Sequence, residues 1–328
     1  MNKRDRLQAA LAGAPLDRAP VALWRHFPVD DQQPEDLAAA TLEWQAAFDW
    51  DFVKVTPSSS FCLKDWGAQD EWRGEPEGTR QYTRRVIQAP EEWRSLSPRD
   101  PQAGALGAQL RALDLIRAGL RGETPFIQTV FSPLSQARNL VGPERLAVHL
   151  RQHPAAVHAA LEAITETAVR FVAAARQRGI DGIFYAMQFA TPRVFAEAEY
   201  RAFGEPYDRR ILAAAEGLWL NVVHLHGEDV LFDLAAAYPA QVLNWHDLET
   251  PPALAEGQRR FAGVVCGGLR QWETMVRGTP AQVRAEAQAA LAQTGGRRFI
   301  LGTGCVTPIT APRANLRAAR AAVEAGYS

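Results

Sequence analysis

The chain has 328 residues, with 36 basic and 37 acidic side chains and a formal net charge of -1. The chain therefore has no excess of positive charge of the kind that binds a nucleic acid or a membrane surface, and a small molecule is the expected partner. Three widely spaced cysteines fit a reducing compartment better than a disulfide framework. The N-terminal helix lacks the apolar core of a signal peptide and no later apolar run spans a bilayer, so we expect a soluble cytoplasmic protein.

Short apolar runs rich in Val, Ile and Phe alternate along the chain with longer stretches of helical periodicity. In chain order, the predicted strands are 19–24, 51–56, 125–131, 181–187, 218–226, 241–246, 261–268 and 299–305. After an amphipathic helix at the N-terminus, helical patterns lie at roughly 35–48, 143–178, 197–217, 228–238, 252–259, 280–293 and 312–325.

This alternation predicts an α/β fold with a parallel sheet. Eight strands with helical crossovers favour a single (β/α)8 TIM barrel over residues 1–328, because a closed barrel leaves no unpaired edge. An open doubly wound sheet is the alternative. The connection at 57–93 is polar and aromatic, with strand-like alternation at 79–87. We expect it to be an elaborated loop after strand 2 that crosses the barrel mouth and contains a small hairpin.

Reacting groups of such barrels gather at the carboxyl ends of the strands. The candidate residues that fall at these ends are Arg25, Ser58, Tyr185, Gln188, His224, His226, His246, Asp247 and Cys305. Three of the seven histidines and one of the three cysteines are among them. The sequence therefore predicts that the chemistry of this chain lies at that face.

His224 and His226 are two residues apart on a predicted strand, so both imidazoles point to the same side. Cys305 ends a strand three positions further round, where its sulfur can converge with them. Two nitrogens and one thiolate suit an open tetrahedral zinc site whose fourth position takes a substrate. Such a zinc ion would hold a thiol substrate as the nucleophilic thiolate.

Each of these residues also has a simpler interpretation. A histidine at a strand end is often only hydrogen-bonded, and a lone cysteine is often a small buried hydrophobe. His246 and Asp247 are either an acid–base pair or a solvated turn. Arg25 either binds a carboxylate or phosphate through both guanidinium nitrogens or pairs with a surface acid.

Several spaced stretches together resemble the uroporphyrinogen decarboxylase superfamily: 4-RDRLQAALAGAPLDRAPVALWR-25, 179-GIDGIFYAMQ-188, 224-HLHG-227, 243-LNWHD-247 and 302-GTGCVTPITAPRANLRAAR-320. The likeness runs nearly end to end and implies a (β/α)8 barrel. It also implies one of two chemistries. One branch decarboxylates uroporphyrinogen without a cofactor, and the other consists of zinc methyltransferases that move a methyl group between a corrinoid and a thiol such as coenzyme M.

When the chain is compared with the decarboxylase branch, Arg25 matches the first substrate-binding arginine, but Val29 occupies the position of the second. Ser58 stands where that branch has its essential aspartate, Asn139 where it has a tyrosine, and Cys305 where it has its late histidine. The resemblance therefore places Arg25, Ser58 and Asn139 in the substrate-binding region. The groups that bind a polycarboxylate have largely been lost at these positions.

When the chain is compared with the methyltransferase branch, His224 and Cys305 match two zinc ligands, and His226 replaces the cysteine between them. Under this interpretation Arg25 and Gln188 position the substrate, His246 with Asp247 supplies a proton, and Tyr185 caps the pocket. The resemblance also implies a corrinoid-bound methyl donor, presented by a corrinoid protein, and a homodimer.

We therefore expect a zinc-dependent methyltransferase-like enzyme. Uroporphyrinogen decarboxylase, a carboxy-lyase of porphyrin biosynthesis that uses no cofactor, is the first alternative. A non-catalytic barrel that binds a small acid is the second.

Overall fold

The computed structural model describes residues 1–324 and consists of strands joined by helices. Within these residues the strands are β1 (Val53–Val55), β2 (Gln69–Glu71), β3 (Gln81–Arg84), β4 (Phe126–Phe131), β5 (Gly182–Met187), β6 (Val222–Leu225), β7 (Val242–Trp245), β8 (Val264–Leu269) and β9 (Phe299–Thr303).

The helices over the same range include several that begin with proline at the first turn, where its missing N–H costs nothing. They are α1 (Lys3–Leu11), α2 (Pro34–Phe48), α3 (Gly104–Leu120), α4 (Pro133–Val141), α5 (Pro143–Gln152), α6 (Pro154–Gln177), α7 (Glu197–Phe203), α8 (Glu205–Ala214), α9 (Phe232–Ala236), α10 (Leu254–Arg260), α11 (Pro280–Thr294) and α12 (Arg313–Ala322). Short 3-10 helices occur at Asp30–Gln32, Phe61–Trp66 and Pro90–Ser95. No helix over residues 1–324 combines the length and the apolar character needed to cross a membrane.

Seven strands form one curled parallel sheet in the order β1-β4-β5-β6-β7-β8-β9. Each of these strands pairs with the next one in the parallel direction, so all of their carboxyl ends lie at one edge. Every residue of the seven strands is buried, as expected for a parallel sheet that is covered on both faces. The architecture is an α/β half-barrel of TIM-like form.

The segment predicted as the first strand, 19–24, is not a full strand. It makes one parallel bridge, between Val21 and Leu301 of β9, and Ala22 N–H donates to the Leu301 carbonyl at 3.0 Å. On its other side the Asp51 N–H donates to the Val21 carbonyl at 2.9 Å. Pro20 has no N–H to extend the ladder. The segment nevertheless lies between β9 and the residues that lead into β1.

The other seven predicted strands are confirmed, each shortened at one or both ends. The helical pattern at 143–178 is interrupted where Pro154 starts a new helix, so it forms α5 and α6. The pattern at 312–325 corresponds to α12, and residue 325 lies outside the described residues. The connection after β1 contains a 3-10 helix, the antiparallel pair β2–β3 and α3.

Candidate metal centre

A cavity of about 230 Å³ opens at the carboxyl ends of the parallel strands. Side chains two residues apart on a strand reach it together, because they share one face. Thr129 and Phe131 do so from β4, and Phe184 and Ala186 from β5. The remaining lining residues are Trp24, His26, Lys54, Ser59, Glu77, Thr79, Gln188, His224, His226, Cys305 and Val306. Strand ends from most of the sheet therefore contribute to one site.

Four side chains at the ends of three strands, β6, β7 and β9, form a cluster that could hold a metal ion. His224 lies in β6 and His226 just beyond it, His246 follows β7, and Cys305 follows β9. One donor atom from each residue lies within 4.8 Å of all the others. The position of His224 is fixed on both sides by the sheet, since β6 pairs it with Asn244 of β7 and with Ala186 of β5.

Neighbouring side chains fix the ring orientation of two of the histidines. The Asn244 amide nitrogen donates to the carbonyls of Cys266 and Thr303, at 2.9 and 3.1 Å, which sets the orientation of the amide. Its Oδ1 therefore accepts from His224 Nδ1 at 2.7 Å. The Nε2 of His224 is thereby left with its lone pair, as a metal ligand requires.

His246 has a comparable arrangement with a carboxylate. Its Nδ1 lies 2.8 Å from Glu249 Oε2. Its Nε2 is buried and has no hydrogen-bond partner within residues 1–324. A buried nitrogen without a partner is costly, so this atom is aimed at a group that a ligand or metal would supply.

Cys305 approaches the histidines because of the residue that precedes it. A Cβ atom on Gly304 would lie 2.6 Å from the His246 Cα, so only glycine allows the two chain segments to come this close. The Cys305 Sγ lies 3.4 Å from the His226 Nδ1. Both strand ends therefore present their donors to the same space.

The pKa values of the cluster reflect its burial. Burial lowers the pKa of His224 well below its usual value, and the neighbouring imidazoles of His226 and His246 lower it further. Burial also lowers the pKa of His226. Burial opposes protonation of His246 as well, but the Cys305 sulfur and the Glu249 carboxylate outweigh it and raise its pKa to about 9.

These residues fit zinc by their donor chemistry. Imidazole nitrogen and thiolate sulfur are its common ligands, and bonds of about 2.0 to 2.3 Å place donors within about 4 Å of one another. The largest separation in the cluster, 4.8 Å, is slightly wider than that. The feature of this structure that favours an ion is His224, whose tautomer is set by Asn244, while the unpartnered His246 Nε2 is available to an ion or to a bound substrate.

The remaining residues predicted for the site divide into two groups. Gln188 lines the cavity. Asp247 is buried beside the cluster, where its Oδ1 accepts from the Gly268 N–H at 3.1 Å, and burial raises its pKa to about 7. The other four, Arg25, Ser58, Asn139 and Tyr185, do not line the cavity.

Each of these four side chains lies elsewhere for a local reason. Arg25 points to a separate surface pocket and lies over the rings of Phe27 and Trp44. Tyr185 is on the opposite face of β5 from Phe184, and its hydroxyl donates to Asp208. Ser58 lines a different pocket, while the neighbouring Ser59 lines this one. Asn139 lies in α4, where its main-chain carbonyl accepts from the Arg85 guanidinium.

Several cavity residues were missed at the sequence level. Lys54 in β1 is the clearest, because a charged residue inside a buried three-residue strand is itself a signal of function. His26 is buried, with its Nδ1 unpartnered, and burial lowers its pKa to about 3. Glu77 and Thr79 reach the cavity from the segment between β2 and β3, whose position no local pattern predicts.

The fold and this cluster define a TIM-like α/β protein with a candidate His–Cys metal site at the carboxyl ends of its strands. The family model for uroporphyrinogen decarboxylase (URO-D) matches residues 2–326. The chain therefore belongs to the uroporphyrinogen decarboxylase family.

Relatives of this chain include both enzymes that the resemblance implied. It is 25% identical over 305 residues to a methylated-thiol–coenzyme M methyltransferase from Methanosarcina mazei, covering 90% of this chain and 78% of that protein. It is 32% identical over 225 residues to a uroporphyrinogen decarboxylase from Rhodococcus opacus, covering 64% of this chain and 61% of that protein.

Solved structures support the fold. A methyltransferase from Methanosarcina mazei superposes with a TM-score of 0.83 at 19% identity, over 98% of each chain. A B12-independent methionine synthase from a Shewanella species, in complex with selenomethionine, gives a TM-score of 0.59 at 15% identity, over 93% of each chain. At these identities the likeness concerns the fold alone.

Proposed function

We propose that this protein is a zinc-dependent methyltransferase-like enzyme that activates a thiol. The observation that carries the proposal is the convergence of His224, His226, His246 and Cys305 within 4.8 Å. The methyltransferase relative from Methanosarcina mazei, whose match covers 90% of this chain, supports the same chemistry. The methyl donor that we propose is a corrinoid-bound methyl group, presented by a corrinoid protein.

We assign different roles to the four residues. His224, His226 and Cys305 hold the metal, because a catalytic zinc site has three protein ligands and one open position. When bound, zinc supplies a Lewis acid that lowers the pKa of a thiol at the open position. His246 is the fourth residue, and its Nε2 takes the thiol proton while Glu249 orients its ring.

These roles account for the proton that leaves the thiol and for each bond that forms or breaks in the methyl transfer. The thiol gives up its proton to His246 Nε2, and its sulfur forms a bond to the methyl carbon. The bond between that carbon and the donor breaks, and the donor keeps the electron pair. His246 can accept this proton only as the neutral imidazole, and a zinc ion held by the other three residues would favour that form by opposing a second positive charge nearby.

The cavity argues against uroporphyrinogen as the substrate, although one relative is a decarboxylase. Its volume of about 230 Å³ is below the usual range even for drug-sized ligands, which is roughly 300–1,000 Å³. Lys54 is the single lysine or arginine among the described lining residues. A macrocycle with many carboxylates needs more room and several guanidinium partners.

Metal analysis of single variants tests the assignment. We expect protein purified without chelator to contain about one zinc per chain, and the variants His224→Ala and Cys305→Ser to lose it. Because His246 acts on the proton, His246→Gln is expected to retain zinc and to lose methyl transfer to the thiol. Zinc is measured by mass spectrometry of the folded, gel-filtered protein.

Two results would contradict this proposal. If His246→Gln loses zinc as completely as Cys305→Ser, the metal has four protein ligands and no position for a thiol. If the wild-type protein is metal-free and converts uroporphyrinogen to coproporphyrinogen under anaerobic conditions, the decarboxylase alternative is correct. Asn139→Ala serves as the matched control, because that side chain lies outside the cavity.

A further inference from the structure

Two charged side chains of opposite sign face the cavity without an ion-pair partner. Among the described residues that line it, Lys54 and Glu77 carry a formal charge, aside from the metal cluster and His26. Neither forms a salt bridge with any residue in 1–324, and they do not pair with each other. The methyl-transfer chemistry proposed above uses neither of them.

Lys54 is a buried amine without a carboxylate partner among the described residues, and the Cys305 sulfur is the neighbour that favours its charged form. It lies in β1 and is 8% exposed. Its Nζ is 3.2 Å from Thr56 Oγ1 and 4.7 Å from the centre of the Phe184 ring, which are both uncharged groups. Burying a cation without a counter-charge is costly, so the site favours a ligand that brings an anion to this amine.

Glu77 presents a carboxylate from the segment that crosses the cavity between β2 and β3. Its Oε1 accepts from Gln271 Nε2 and from Trp272 Nε1, each at 3.1 Å. Both donors are neutral, so they hold the carboxylate in place without cancelling its charge. Since both bonds end on Oε1, Oε2 keeps its capacity to accept from a ligand.

The backbone beside Glu77 is built for close approach to the cavity. Gly78 has a φ of +80°, and a Cβ there would lie 2.5 Å from the His26 Cβ. Only glycine permits this conformation and this contact without strain. The segment therefore lies directly against a cavity-lining residue, with Glu77 at its edge.

We propose that the cavity takes a sulfur-bearing α-amino acid in its zwitterionic form, with the carboxylate at Lys54 and the ammonium at Glu77. This inference rests on the proposed function for its third contact, the sulfur at the metal centre. A thiol with only an acidic group would leave the Glu77 charge unmatched, and one with only an amine would leave Lys54 unmatched. The cavity volume suits an amino acid with a short side chain.

Ligands without sulfur test the two charges separately from the metal. L-Norleucine has both charged groups, hexanoate lacks the amine, and pentylamine lacks the carboxylate. By calorimetry we expect norleucine to bind at least about tenfold more tightly than either of the others, as for charge-assisted hydrogen bonds in a buried site. Hexanoate binding equal to that of norleucine would overturn the role of Glu77.

Isosteric variants assign each charge to its residue. Lys54→Met keeps the chain length and the contact with Phe184, and it should abolish the preference for norleucine over pentylamine. Glu77→Gln keeps an oxygen acceptor for Gln271 and Trp272, and it should abolish the preference over hexanoate. Lys64→Met and Glu75→Gln, which lie outside the cavity, should leave both preferences unchanged.

Homocysteine separates this inference from the proposed function. If zinc-loaded protein binds 3-mercaptopropionate as well as homocysteine, and norleucine does not bind, the thiol chemistry stands and the zwitterion assignment is wrong. If norleucine binds through Lys54 and Glu77 but homocysteine binds no more tightly than norleucine, the charge pair stands and the thiol assignment is wrong. Thermal unfolding of every variant verifies that it is folded.

Discussion

At the scale of single residues, the cluster of His224, His226, His246 and Cys305 depends on groups that are not candidate ligands themselves. Asn244 is fully buried, and its amide is fixed by two backbone carbonyls before it accepts from His224. Partners of this kind set the tautomer and direction of a ligand ring. Asn244 therefore holds His224 in the one form that can bind an ion through Nε2.

The change Asn244→Ala removes this constraint and is expected to weaken zinc binding by about 10- to 100-fold, as for other outer-shell partners of zinc ligands. The affinity is measured by competition with a chromophoric chelator. Asn244→Asp retains an oxygen acceptor for His224 and should recover most of the affinity. An Ala variant with wild-type affinity, together with an unaffected unfolding midpoint, would show that His224 is not a ligand.

The sequence predicts part of this site and misses the rest for a physical reason. His224, His226 and Cys305 are identifiable because strand ends of a parallel sheet must meet at one edge. Lys54 and Glu77 reach the same cavity, but no spacing rule connects a strand lysine with a glutamate in an irregular segment. Arg25 does not line the cavity, because adjacent residues alternate in direction and Trp24 and His26 occupy the inward positions on either side of it.

At the scale of secondary-structure elements, the two faces of β5 contact different parts of the molecule. Phe184 and Ala186 face the cavity, whereas Tyr185 faces the helices. Its hydroxyl shares Asp208 with those of Tyr200 and Tyr238, at 2.8 and 2.9 Å for the latter two. This buried network ties β5 to α7 and α8.

Tyr185→Phe should therefore affect stability and leave the site intact. The loss of one hydrogen bond to a buried carboxylate is expected to lower the free energy of unfolding by about 1.5–3 kcal/mol, measured in urea. Zinc content and thiol binding should remain at wild-type levels. A Phe variant of normal stability that no longer binds the thiol would return Tyr185 to the catalytic role that the sequence suggests.

The predictability of the elements follows the strength of their patterns. Seven buried strands are identifiable from continuous apolar runs, whereas Pro20 interrupts hydrogen bonding in the segment at 19–24. Helix α3 is missed although Leu106, Leu110 and Leu113 recur on one buried face, because it follows a long irregular connection. The break at Pro154 is visible in the sequence, yet the apolar periodicity continues across it.

At the scale of the whole molecule, a buried cluster of charges around Asp51 ties the segment at 19–24 to the residues that lead into β1. This carboxylate is fully buried and accepts from Arg6 and Arg18, both at 2.7 Å. It also accepts from the Val21 N–H at 2.8 Å, while its own N–H donates to the Val21 carbonyl. One residue therefore connects α1, the segment at 19–24 and the start of β1.

Removing this carboxylate should destabilise the fold, because Asp51→Ala leaves the buried Arg18 without a counter-charge and leaves Arg6 with Asp17 alone. Breaking a buried ion pair in this way costs about 3–5 kcal/mol, so the urea midpoint should fall clearly. Asp17 pairs with the same Arg6 but its side chain is 37% exposed, and Asp17→Ala should cost about 1 kcal/mol or less. If both variants lose equal stability, the Asp51 carboxylate contributes no more than a partly exposed ion pair, and its special part in holding the segment at 19–24 against the start of β1 is wrong.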